Sequence, residues 1–114
     1  MTDDRLIDWA RVRELRYEIG EDGFEEVVGL FLDEADETVA RLSPDVGAKK
    51  FAADLHYLKG AALNLGFQAL AACCQDGERR ANQGDLSVDL DLLRSTYAES
   101  RARFLGGQEE AFAA

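Results

Sequence analysis

Phe51-Ala52-Ala53-Asp54-Leu55-His56-Tyr57-Leu58-Lys59-Gly60-Ala61-Ala62-Leu63-Asn64-Leu65-Gly66 is the stretch on which the reading of this chain turns. At about 100° per residue, Phe51, Leu55, Leu58, Ala62 and Leu65 fall on one stripe of a helix. His56 and Gly60 point roughly the opposite way, with Lys59 on their flank. If the stripe faces a core, the chain's one histidine is a solvent-facing group beside a cation and an open space. An exposed helical imidazole in that setting suits reversible phosphorylation.

Outward from this stretch the punctuation is clear. Gly66 stops the helix on its C-terminal side. Upstream, Ser43-Pro44-Asp45 ends the preceding element, because proline lacks an amide donor and disfavours helical geometry in the residue before it. That preceding element is the plainest amphipathic helix of the chain, with Phe24, Val27, Val28, Phe31, Leu32, Ala35, Val39 and Leu42 at helical spacing. Asp22 and Glu25, three apart, read as its capping box. A shorter helix before it starts on Asp8 as N-cap, continues through Trp9, Val12, Leu15 and Ile19, and closes at Gly20.

Downstream, Phe67, Leu70, Ala71, Cys74 and Ala81 make a fourth helix that ends near Gln83-Gly84-Asp85. Ser87 reads as the cap of a fifth, whose stripe of Leu90, Leu93, Tyr97 and Phe104 breaks at Ser100 and Arg101 before Gly106-Gly107. The predicted helices cover 8–19, 22–43, 46–65, 67–83 and 87–105, with a frayed tail over 106–114. No stretch alternates with period two, and no repeat or low-complexity segment is present. The expected fold is all-α: an antiparallel up-down four-helix bundle with the short first helix packed across one end.

The 114 residues, 46% of them apolar, suffice for one core and one domain over 1–114. Thirteen basic against 23 acidic residues give a net charge of −10, which opposes binding to nucleic acid and to anionic lipid. No apolar run reaches the roughly 20 residues of a membrane span, and the start lacks a signal peptide's basic and apolar regions, so the expected location is the cytoplasm. Cys73 and Cys74 are adjacent, which suits neither a loop-closing disulfide nor a metal site, and packing is their expected role. With a single histidine elsewhere, no zinc site is expected within the chain.

The run His56-Tyr57-Leu58-Lys59-Gly60-Ala61-Ala62, followed by Asn64-Leu65-Gly66, resembles the signature of histidine-containing phosphotransfer (HPt) domains. Weaker likeness extends from Ile7-Asp8-Trp9 through Phe31-Leu32-Asp33-Glu34 to Leu70, Cys74 and Glu78, so that it covers roughly Ile7 to Phe104. The resemblance implies that His56 accepts a phosphoryl group on Nε2 from an aspartyl phosphate and returns it to another receiver-domain aspartate. Lys59, three residues on, would offset the phosphoryl charge electrostatically. Gly60 costs the helix about 1 kcal/mol against alanine, which suggests a steric reason: room for a partner's active site. Glu78 matches a family position close to the histidine. Its carboxylate would accept a proton from Nδ1 and leave Nε2 free, or would repel the incoming phosphate.

Two residues depart from the family pattern. Ala61 and Ala62 replace small hydroxylated residues, which removes a hydrogen bond near the phosphate. Gly77 stands where a large apolar residue is common, which predicts a locally looser fourth helix.

By the same resemblance the protein is a stoichiometric carrier rather than a self-contained enzyme, since the receiver domain supplies the acid cluster and Mg²⁺. No cofactor of its own is implied. Expected partners are response-regulator receiver domains and a hybrid sensor kinase, met by a monomer that is either a stand-alone shuttle or an excised module. Ala53, Leu63 and Phe67 share the histidine's side of the projection and are candidates for docking. Leu15, Phe24 and Val28 are added by resemblance, and each of these three reads equally well as core. The alternative is an acidic helical adaptor that binds signalling partners without phosphorylation. A self-contained hydrolase or metal enzyme would need a base, an orienting group and ligands from a chain with one histidine.

Overall fold

The computed structural model describes residues 5–113. Five helices follow one another: α1 (Trp9–Ile19), α2 (Glu21–Arg41), α3 (Ala48–Leu65), α4 (Gln68–Asn82) and α5 (Leu90–Phe112), with one turn of 3₁₀ helix at Pro44–Val46. No strand occurs among the described residues. None of their helices is long and apolar enough to cross a membrane.

Helices α2 to α5 form the bundle, and the stripe read from α3 is its centre: Phe51, Leu55, Leu58, Ala62 and Leu65 are all buried. They meet Val28, Leu32, Ala35 and Val39 of α2, Leu70, Cys74 and Ala81 of α4, and Leu93, Tyr97 and Phe104 of α5. Each large apolar side chain so buried contributes about 1.5–3 kcal/mol. Polar groups tie α5 to α2. The Tyr97 hydroxyl donates to Asp36, and the Arg94 guanidinium donates to the carbonyls of Leu42 at 2.8 Å and Val39 at 3.3 Å. Those carbonyls close α2 and have no helical partner of their own, so a cation there suits both the orphan acceptors and the helix dipole.

Helix α1 crosses the end of the bundle where α3 turns into α4. Asp8 caps it by accepting from the Arg11 amide at 3.3 Å, and the Asp8 amide donates to the Gly66 carbonyl at 2.7 Å. Gly66 is left-handed (φ 79°, ψ 19°), and a β-carbon on it would stand 2.7 Å from the Asp8 oxygen. Both the turn and the closeness of α1 therefore require glycine there.

Several helix ends differ from the sequence reading. Helix α2 begins at Glu21, directly after Gly20 (φ 93°, ψ 149°), with no side-chain cap, so Asp22 and Glu25 form no capping box. Asp22 instead lies in the first turn, where its charge favours the helix dipole. Pro44–Val46 makes a separate 3₁₀ turn capped by Ser43, which delays α3 to Ala48. Asp89, not Ser87, caps α5 by accepting from the Leu92 amide at 3.0 Å; the Ser87 amide is held by Asp85.

The largest correction is at the C-terminus. Helix α5 does not end at 105 but runs through Gly106-Gly107 to Phe112, where a frayed tail was expected. Phe112 packs edge-on to Phe24, with ring centroids 5.6 Å apart, and the Arg16 guanidinium lies 4.3 Å from its ring centroid. Ala114, the tail's last residue, lies outside the described residues. Nor does the α5 stripe break at Ser100, which is fully buried. Gly77 leaves no looseness in α4, which is continuous: Leu55 and Val88 fill the space, 3.1 and 3.2 Å from where its β-carbon would be.

Candidate functional site

With the α3 stripe buried, the opposite face of the same helix is open, and 67% of the His56 side chain is exposed there. Helix α4 runs alongside and brings Glu78 to its edge. The His56 Nδ1 atom lies 2.9 Å from Glu78 Oε2. An ionised carboxylate only accepts, so the hydrogen sits on Nδ1 and the lone pair of the neutral ring on Nε2. The other carboxylate oxygen, Oε1, accepts from the Lys59 ammonium at 2.8 Å. One carboxylate thus joins the two α3 side chains whose spacing singled them out.

Lys59 and Glu78 are both about four-fifths covered. The Lys59 ammonium, and after it the His56 ring, hold the Glu78 carboxyl below the usual carboxylate range, against the burial that pushes it up. Of the two expectations for Glu78, the geometry matches the one in which it accepts from Nδ1.

Gly60 lies one turn beyond His56, and a β-carbon on it would meet nothing within 4 Å. No packing demand among the described residues explains a glycine in the middle of α3. Ala61 and Ala62 are buried, so their lack of hydroxyls keeps the core apolar. Beside the histidine, the Tyr57 hydroxyl donates to Glu34 and ties the outer edge of α3 to α2.

The docking candidates separate by burial. Ala53 and Leu63 are exposed on the histidine's side of α3, Leu63 at 56%. Leu15, Phe24, Val28 and Phe67 are not on a docking surface: all four are core residues at 6% exposure or less. Phe67 leaves the histidine's face because the chain turns at Gly66, and its ring packs edge-on against Phe104 with centroids 5.5 Å apart. Leu30, 60% exposed, and Tyr57, 46% exposed, are large side chains at the surface that sequence reasoning did not single out. Leu30 is one turn before Glu34 on α2, hence along the seam that Tyr57 bridges. Its signal was present, because Leu30 falls off the spacing of Val28, Leu32, Ala35 and Val39 in an otherwise apolar run.

Among the described residues no three His, Cys, Asp or Glu side chains are grouped to hold a metal ion. Cys74 is buried in the core, which pushes its thiol up to about 12 and keeps it protonated.

A family model described as Hpt domain matches residues 26–103, a span that holds His56, Lys59, Gly60 and Glu78. Comparison with curated proteins and with solved structures gives no significant match.

Proposed function

The chain belongs to the Hpt domain family, whose role is histidine phosphotransfer in phosphorelays, and from that membership we propose that His56 is the residue that carries the phosphoryl group. The observation that supports this reading most directly is the fixed imidazole: Nδ1 is held by Glu78, while Nε2 has no partner among the described residues and the side chain is largely exposed. The lone pair of Nε2 attacks the phosphorus of an aspartyl phosphate in a receiver domain. The P–O bond breaks, the aspartate leaves as its carboxylate, and the ring carries a positive charge, with the hydrogen still on Nδ1 and hydrogen-bonded to Glu78. Onward transfer is the reverse, to another receiver's aspartate.

Little else in the chain takes part in chemistry, and positioning dominates catalysis in such transfers. The receiver domain would contribute its own acid cluster and Mg²⁺. Gly60 leaves the approach to Nε2 open on the C-terminal side, and Ala53 and Leu63 flank it for docking, with Leu30 and Tyr57 beyond. A monomer serving a receiver domain and a hybrid sensor kinase fits this arrangement.

The deciding experiment incubates the protein and its His56→Gln variant with phosphorylated receiver domains, followed by intact-mass analysis and tests of acid and alkali stability. One acid-labile, alkali-stable phosphoryl group, absent from the variant, is the expected result. Label that persists in His56→Gln refutes the site. No label from a broad panel of receivers favours an acidic helical adaptor that is not phosphorylated.

A further inference from the structure

Glu78 does two things at once: Oε2 faces Nδ1 of His56 at 2.9 Å, and Oε1 holds the Lys59 ammonium at 2.8 Å. The reach of Lys59 to a phosphoryl group on Nε2 is therefore contested. In the unmodified protein its charge is already compensated, by a carboxylate that is itself mostly covered and so only partly screened by water. Among the described residues no other cation is hydrogen-bonded to His56 or Glu78; the nearby Lys50 donates to Asp54 at 2.7 Å, and Arg79 and Arg80 bind Asp76. Ala61 and Ala62 bring no hydroxyl.

We infer that Glu78 is a competing anion that holds the Lys59 ammonium back from the phosphoryl group on His56 and so keeps that group transferable, an inference that rests on the phosphotransfer reading above. Transfer to Nε2 places new negative charge near Lys59, whose ammonium must then divide itself between the phosphoryl oxygens and Oε1. Whatever it gives to one it withdraws from the other. The carboxylate meanwhile stays on the Nδ1 hydrogen and favours the cationic ring, the better leaving group when the N–P bond breaks. The competition for Lys59 opposes trapping of the phosphoryl group on the carrier, and the retained Nδ1 hydrogen lets the ring leave as a neutral imidazole. Glu78 acts here through Lys59 and through the ring, as a positioning residue.

The test is a double-mutant cycle read as the equilibrium ratio of phosphohistidine to aspartyl phosphate with one purified receiver domain. Glu78→Gln is nearly isosteric, and its amide oxygen can still accept from Nδ1, so it removes the charge while keeping the ring oriented. Lys59→Gln should lower the ratio by about twofold or less when residue 78 is Glu, and by roughly threefold to tenfold in the Glu78→Gln background, where Lys59 is free. Equal losses in the two backgrounds overturn the inference. A smaller loss in the Glu78→Gln background also overturns it, since Glu78 would then deliver Lys59 rather than withhold it.

A measurement on the unaltered protein guards against misfolded variants. Phosphorylation by the receiver should shift the NMR signals of both the Lys59 ammonium and the Glu78 carboxyl, and an unmoved Lys59 signal refutes the competition. Unaltered protein that takes no phosphoryl group, judged by mass, overturns the phosphotransfer reading and the inference with it. Labelled protein with additive losses overturns the inference alone.

Discussion

The indole of Trp9 lies over the bare backbone of Gly107: a β-carbon on that glycine would stand 2.7 Å from Cζ2 of the ring. Gly107 is buried inside α5, and the same indole stacks on Phe104, one turn earlier, at 6.0 Å between centroids. This contact joins the crossing helix α1 to the last helix of the bundle. Gly107→Ala should therefore destabilise the fold by about 1–3 kcal/mol through overpacking, despite a gain of about 1 kcal/mol in helix propensity. Urea denaturation checks it, and a variant at least as stable as the parent would show that Trp9 yields freely.

Gly60 makes the opposite case. It has open space around it, so Gly60→Ala should raise stability by about 0.5–1 kcal/mol, the propensity gain alone. The same variant should accept phosphoryl groups from a receiver more slowly, because its methyl occupies the approach to His56. Stability and transfer rate measured on one sample decide the matter. A more stable protein with unchanged transfer would remove Gly60 from the docking surface.

Lys59→Ala should leave the helical circular dichroism intact, since its ammonium is held at the bundle surface by Glu78 and by no other side chain among the described residues. Transfer to the protein should slow, or phosphohistidine lifetime shorten, by only about twofold, because Glu78 already holds the ammonium back. Rapid-quench kinetics and decay at constant pH give both quantities. If neither changes, Lys59 has no part in the chemistry.

Acid should erode what Glu78 contributes to stability. Its folded carboxyl titrates below the ordinary glutamate value of 4.5, chiefly because of Lys59. The contribution is thus complete above that value and is lost as pH falls through the folded value. Thermal melts of the parent and of Glu78→Gln should differ at pH 7, the variant being less stable, and should converge as pH falls through the folded value. A gap that persists at low pH would mean that the residue stabilises by packing rather than by charge.

The adjacent cysteines should react unequally. Cys74 is fully buried with its thiol pushed up to about 12, whereas Cys73 is half-buried. Iodoacetamide at pH 8 should modify Cys73 well before Cys74, and both at one rate in denaturant. Peptide mass mapping over time reads the order, and early loss of Cys74 would contradict its burial.

Much of the site was legible because it lies on one helix. His56, Lys59 and Gly60 fall within five consecutive residues, so the 3.6-residue period that buries Leu55, Leu58 and Ala62 turns the histidine outward with no need of tertiary information. Glu78 was visible only through resemblance, because its distance from His56 depends on how α4 pairs with α3. The docking candidates show the limit. Leu15, Phe24 and Val28 are apolar and helical, and nothing in their spacing says whether core or partner covers them. Helix ends failed for a related reason: Gly106-Gly107 is a stop signal in isolation, yet in the bundle Gly107 is the gap into which Trp9 fits.

By itself the sequence determined that the chain is all helical, which face of each helix is apolar, where α3 turns at Gly66 and that the histidine faces outward. These are local properties, set by backbone preference and by the period at which apolar side chains recur. Only the tertiary structure decided that one carboxylate joins His56 to Lys59 and that four apolar candidates belong to the core. It also decided that α5 persists to Phe112, beside Phe24 and Arg16. Those outcomes depend on which helices become neighbours and at what depth, and a side chain's partner across a bundle is fixed by packing of the whole core rather than by its own stretch of chain.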